Sequence, residues 1–174
     1  NPIPLNLIIC ENLLHSSKIL RDYLLTEAGN NTALQEYIKT QVGLVESVVS
    51  RMIPLVPPEI KDKDPLIVLA EDYEILPVAK KMFVSTPPVV QGIIPYDDLQ
   101  PYEEMKLFIH NLGHCISGYL GYLKNYEFVW QTMEDAATRA VVAGAMTESG
   151  RALIKKYSVL ATLLRLQEFQ DKHL

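Results

Sequence analysis

The hydrophobic pattern divides the chain into a β-rich first part and a helical second part. Leu5-Asn6-Leu7-Ile8-Ile9-Cys10 is a short, nearly continuous apolar run, the pattern of a strand buried on both faces of a parallel sheet. From Ser16 to about Ala28, the apolar residues Ile19, Leu20, Tyr23 and Leu24 share one helical face, and Gly29-Asn30 supplies a stop. Thr32, with Gln35 three residues on, predicts a capped second helix through about Thr40. The β-prone stretches Val48–Ile53, Pro65–Ala70 and Val89–Ile94 predict a small secondary sheet. From Pro101 the pattern is helical to about Lys124. Pro suits a first helical position, and Glu103 and Glu104 suit the positive end of the helix dipole. Gly113, Gly118 and Gly121 each cost that helix roughly 1 kcal/mol relative to Ala and predict a break or a close approach. Further helices are expected around Phe128, from Glu134 to Tyr157, and from Val159 onward. The predicted fold class is therefore a mainly α-helical domain with a small β component and a remnant strand of another domain at its N-terminus.

Composition narrows the function classes. Hydrophobic residues make up 48% and charged residues 21%, as in folded globular proteins. A net charge of −5 with no basic cluster speaks against nucleic acid, which requires phosphate-neutralising Lys and Arg. No apolar run approaches the roughly 18 residues of a membrane span, and Asn1-Pro2-Ile3-Pro4 offers no basic n-region of a secretory leader. Cys10 and Cys115 are widely separated in apolar surroundings and read as two free, buried thiols of a reducing cytoplasm. Both ends look cut from something longer. The chain opens directly on a strand, and Leu163–Phe169 is still amphipathic near its end.

Chemistry concentrates in Glu103-Glu104-Met105-Lys106-Leu107-Phe108-Ile109-His110-Asn111-Leu112-Gly113-His114. On an α-helix Asn111 and His114 are i, i+3 neighbours, Lys106 lies two turns before His114 and about 80° away, and Glu103 stands one turn before Lys106. A lysine depressed by burial can take a proton from an alcohol. An amide donor such as Asn111 can hold the resulting oxyanion, and His114 can orient the hydroxyl. Spacing alone leaves a second reading open, that of a solvated helix start with two structural histidines. His110 and His114 have zinc-ligand spacing, but Asn111 stands where a His-Glu-x-x-His motif has its Glu, and no third ligand is evident. There is no Gly-x-Ser-x-Gly elbow for a serine hydrolase, and no Gly-x-Gly-x-x-Gly turn or P-loop to cradle phosphate.

The run Lys106–His114, followed by Tyr119-Leu120-Gly121-Tyr122, resembles the active-site signature of the polyol-specific long-chain dehydrogenases of the mannitol dehydrogenase type. Ile9-Cys10-Glu11-Asn12-Leu13 is similar to the end of that family's Rossmann domain. Ala145-Met146-Thr147-Glu148-Ser149-Gly150, continuing to Lys155-Lys156-Tyr157, resembles a helix of its mannitol-1-phosphate branch. The three matches, in order, touch nearly the whole chain. The sequence departs from the family where Val49-Ser50-Arg51 replaces its frequent Val-Asp-Arg.

The resemblance implies an oxidoreductase that interconverts a polyol or polyol phosphate and its ketose with NAD, NADP remaining open, and without a metal. It implies Lys106 as general base, Asn111 and Asn12 as the oxyanion-holding pair, His114 on the reacting oxygen, and Glu103 as the carboxylate that releases the proton. Mannitol 1-phosphate and fructose 6-phosphate are the first substrate pair it suggests, with free mannitol or a uronate as alternatives. It further implies that residues 1–12 end a cofactor domain lying mostly upstream. Residues 13–174 would form the helical substrate domain, inactive alone and shortened at its C-terminus. A helical module that binds a partner through its apolar faces is the competing reading from a different class.

Overall fold

The computed structural model describes residues 2–158 and 160. One compact unit ends at Leu99 and a second begins at Gln100. This division is not the one expected after Asn12, because the strand before Asn12 pairs with chain well beyond it.

In the first unit, strand β1 (Leu5–Ile9) lies parallel to β2 (Val42–Glu46), with Leu5 opposite Val42 and Ile9 opposite Glu46. Helices α1 (Ser16–Glu27) and α2 (Thr32–Gln41) form the crossover that a parallel pair requires. Between them Gly29 takes φ +52, a left-handed position open to glycine without cost. The cap of α2 is Asn31, whose side chain accepts from the Leu34 N–H at 3.0 Å. Thr32 therefore falls inside the helix, and Gln35 donates instead to the Gly29 carbonyl at 2.7 Å. The Arg21 guanidinium, donating to the carbonyls of Ile38 and Val42, ties α1 to the end of α2.

β2 is the buried strand, with Leu44 and Val45 almost fully enclosed. β1 is less covered than its apolar run predicts. Leu5 and Leu7 are 45% and 39% exposed, and β1 has a neighbour on one edge only among the described residues. Cys10, just past β1, is exposed, as is Cys115, so the two thiols are free but not buried.

The second small sheet pairs β3 (Leu76–Ala79) and β4 (Ile93–Tyr96) in parallel. A bridge from Ser47 to Val78 and the Val48 N–H bonding the Pro77 carbonyl at 3.0 Å link it to the end of β2. This corrects the predicted strands. Val48–Ile53 contributes only the start of that contact, and Pro65–Ala70 is irregular, with Leu66 86% exposed. A β-prone segment with no partner edge gains no ladder bonds to offset its ordering entropy. A one-turn helix, α3 (Pro58–Lys61), precedes it.

The second unit is helical. It comprises α4 (Gln100–Met105), a π-helical segment (Lys106–Asn111), α5 (Leu112–Leu123), α6 (Val129–Glu134) and α7 (Ala136–Lys156). Ile109, Val142, Met146, Leu153 and Leu160 form its core. Met105, Ile116, Met133, Ile154 and Tyr157 pack against them. α5 closes at Asn125, which takes the left-handed conformation. Gln131 accepts the N–H groups of Glu127 and Phe128 to start α6. Asp135 caps α7 by accepting from Ala137 and Thr138.

The predicted glycine break is absent, and α5 runs through all three glycines. Gly113 and Gly121 serve close packing: a Cβ on Gly113 would approach Met146 Sδ to 2.9 Å, and one on Gly121 would meet Thr132 Oγ1. The interruption lies earlier, in the π segment. Apart from Leu160, the helix expected from Val159 onward lies outside the described residues. Among the described residues no helix is long and apolar enough to cross a membrane.

Candidate active site

Four of the five expected site residues stand on one continuous helical run of the second unit. Glu103 is in α4, Lys106 opens the π segment, Asn111 closes it, and His114 lies in the first turn of α5. Glu103, Lys106 and Asn111 are half-buried and His114 is exposed. Asn12 belongs to the first unit, just after β1, where its backbone N–H donates to the Glu11 carboxylate at 2.8 Å.

The π register alters the spacing argument. In an α-helix, residues five apart are separated by about 140° around the axis. A π turn closes on i→i+5, so Lys106 and Asn111, five apart, bracket one turn of the wider helix. Asn111 and His114 then follow at i, i+3 as the α-helix resumes. Lys106 and Asn111 are thus brought towards a common face by the π turn, not by α periodicity.

Two features hold this turn. Ile109, 1% exposed, anchors it in the core formed with Val142 and Met146 of α7. From the same helix, the Ser149 hydroxyl donates to the Phe108 carbonyl at 2.6 Å. Sequence reasoning missed the π register and this use of Ser149. The available signal was the five-residue gap between Lys106 and Asn111, which α geometry does not explain.

Adjacent charges are committed elsewhere. Both Glu104 carboxylate oxygens accept from Lys156 Nζ at 2.8 Å, and Gln100 adds a third donor at 3.0 Å. The Lys156 ammonium, before the other donors, holds the Glu104 carboxyl below its ordinary range. Glu104 therefore ties α4 to α7, while Glu103 beside it was the residue expected to serve proton release. His110 and His114 stack edge to face, ring centroids 4.6 Å apart. Among the described residues there is no group of three or more His, Cys, Asp or Glu side chains that could hold a metal ion.

Two family profiles divide the chain between them. The Mannitol dehydrogenase Rossmann domain matches residues 1–92, and the Mannitol dehydrogenase C-terminal domain matches residues 98–172. A mannitol-1-phosphate 5-dehydrogenase from Thermoanaerobacter pseudethanolicus is 34% identical over 169 residues, which is 97% of this chain and 42% of that protein. Among solved structures, the Pseudomonas fluorescens mannitol 2-dehydrogenase in ternary complex with NAD and D-mannitol superposes with a TM-score of 0.66 at 32% identity, over 81% of this chain and 31% of that one. A D-sorbitol dehydrogenase in substrate-free form gives 0.68 at 25% identity, over 79% and 31%. The chain thus spans about two fifths of the length of the curated relative it matches. With both domain profiles matched in order and the Lys106–His114 run falling in the second, the chain belongs to the mannitol dehydrogenase family.

Proposed function

We propose that this chain carries the proton-transfer and substrate-holding half of a polyol dehydrogenase. In this reading the enzyme interconverts mannitol 1-phosphate and fructose 6-phosphate with NAD. The observation that carries it is the π turn bracketed by Lys106 and Asn111, with His114 next along the same helix, inside the segment matched to the family's C-terminal domain. The choice of a phosphorylated substrate rests on the mannitol-1-phosphate relative. Mannitol and the uronates are the alternatives.

In polyol oxidation, Lys106 Nζ takes the proton of the reacting hydroxyl as the C–O bond becomes a carbonyl. Asn111 donates its amide N–H to the developing oxyanion, an interaction stronger in the transition state than in the ground state. On the family resemblance alone, Asn12 is proposed for the second amide donor. His114 donates to the same oxygen and fixes which carbinol carbon faces the cofactor. Glu103, one turn before Lys106, receives the proton and passes it to solvent. Ketose reduction runs the same proton path in reverse.

The nicotinamide, when bound, supplies the hydride acceptor. The chain has no Gly-x-Gly-x-x-Gly turn, so the pyrophosphate would be held by other parts of a longer polypeptide, and the chain alone would not turn over. No metal is required, because the lysine supplies the base and the amide supplies the oxyanion contact. The two free cysteines, both exposed, fit a reducing cytoplasm.

The test is an assay of the intact protein with NAD against mannitol 1-phosphate, mannitol and fructuronate or tagaturonate, each in its own direction. Reduction of NAD with mannitol 1-phosphate at a kcat/KM at least tenfold above that with mannitol is expected. No turnover of any of them would refute the reading.

A further inference from the structure

We infer that Ser149 is a positioning residue of the catalytic run, one that holds the Lys106–Asn111 turn in its π register through the Phe108 carbonyl. This inference rests on the proposed role of Lys106 as base.

The first ground is what Ser149 does not do. Ser and Thr hydroxyls inside helices ordinarily bond back to the carbonyl four residues earlier. In this chain Thr26 does so to Asp22, Thr40 to Glu36 and Thr147 to Ala143, all at 2.8 Å. Ser149, two residues after Thr147 on the same helix, does not follow them. Its hydroxyl crosses to the Phe108 carbonyl, 41 residues away in sequence, at 2.6 Å.

The second ground is where the bond lands. A six-residue π segment is rare and has poorer internal hydrogen bonds than an α-helix. Such a backbone state persists only where its surroundings over-determine it. Phe108 lies midway between Lys106 and Asn111, so a donor at its carbonyl acts at the centre of the widened turn. Ile109, the next residue, is locked into the core that α7 shares. The two anchors fix different things. Burial of Ile109 fixes where the turn sits, whereas the hydroxyl gives the Phe108 carbonyl a donor from α7. With the hydroxyl gone, the α register regains its advantage, and Asn111 rotates away from Lys106 towards the roughly 140° separation of residues five apart on an α-helix. The base and the oxyanion donor then no longer face one substrate oxygen.

The test compares Ser149→Ala, Ser149→Cys, Ser149→Thr and Lys106→Ala in the intact dehydrogenase. It measures kcat, KM for polyol and NAD, the pH profile of kcat/KM, and melting temperature. Loss of a hydrogen bond of typical net strength corresponds to about tenfold. S149A is therefore expected to lower kcat about tenfold, to keep KM for NAD within about twofold, and to move the acidic limb of the pH profile. S149T, which keeps the hydroxyl, restores most of kcat, and S149C, a weak donor of similar size, falls between. Wild-type kcat and pH profile in S149A would overturn the inference, as would S149T impaired as badly as S149A. If S149A does not fold, S149C decides, and a kcat within twofold of wild type overturns the inference. The base assignment is read separately. An active K106A refutes that assignment, while an inactive K106A beside a normal S149A refutes the Ser149 inference alone.

Discussion

Truncation of Ile109 tests whether packing against α7 sets the π turn between Lys106 and Asn111. Ile109 is 1% exposed and shares the core with Val142, Met146 and Leu153. Ile109→Ala removes three carbons, worth about 2.4 kcal/mol at roughly 0.8 kcal/mol per buried methylene. The cavity left behind brings the expected total to about 3–4 kcal/mol, within the range for buried large-to-small substitutions. Ile109→Val removes one carbon and is expected to cost about 1 kcal/mol. With a urea m-value of about 2 kcal/mol/M, the two variants shift the midpoint of the second unit's transition by about 1.5–2 M and 0.5 M. Urea unfolding of the intact protein, followed by helical circular dichroism, measures both. Turnover should follow the same order, since the side chain lies between Lys106 and Asn111 in sequence. An Ile109→Ala shift below about 0.3 M would refute the claim that this residue anchors the turn.

Three further outcomes are expected. Gly118→Ala should raise the melting temperature, because its Cβ would meet nothing within 4 Å and Ala is favoured by up to about 1 kcal/mol in a helix. Gly121→Leu should lower it by the equivalent of about 1–3 kcal/mol, since Thr132, which bonds the Ser117 carbonyl, fills that space. The Asp135 carboxyl is held well below the usual carboxylate range, first by Lys124, then by Tyr126 and by the N–H groups at the start of α7. Its folded value being depressed, its contribution is complete above the ordinary carboxylate value of about 3.9 and is lost as pH falls below it. Melting temperature followed from pH 5 to pH 2 should therefore fall less steeply in Asp135→Asn than in wild type.

What the sequence revealed was mostly local. The helices α1, α2, α5, α6 and α7 were legible because their apolar spacing and stop residues lie within each segment, as with Gly29 after α1. β2 was not legible. Val42-Gly43-Leu44-Val45 follows α2 without a turn, and its strand state comes from pairing with β1, some 37 residues earlier at each matched position. Pro65–Ala70 has the residue preferences of a strand but no edge to join, so propensity misled. The site divides in the same way. Lys106, Asn111 and His114 stood out as polar residues in an apolar helix. The π register that relates them could not be read from residue preference, because it is supported from α7 by Ser149. The unit boundary was also illegible from the end of one apolar strand, since the pairing of β1 with β2 carries the first unit far past Asn12.

The central claim is that Lys106 moves the proton in polyol oxidation, and its most direct measurement is turnover of Lys106→Ala in the intact protein beside its affinity for NAD. The account predicts a kcat at least a thousandfold lower, with the NAD dissociation constant within about threefold of wild type and the ketose product unchanged. General-base removal typically costs 10²–10⁴-fold. A kcat within tenfold of wild type at saturating polyol and NAD would contradict it.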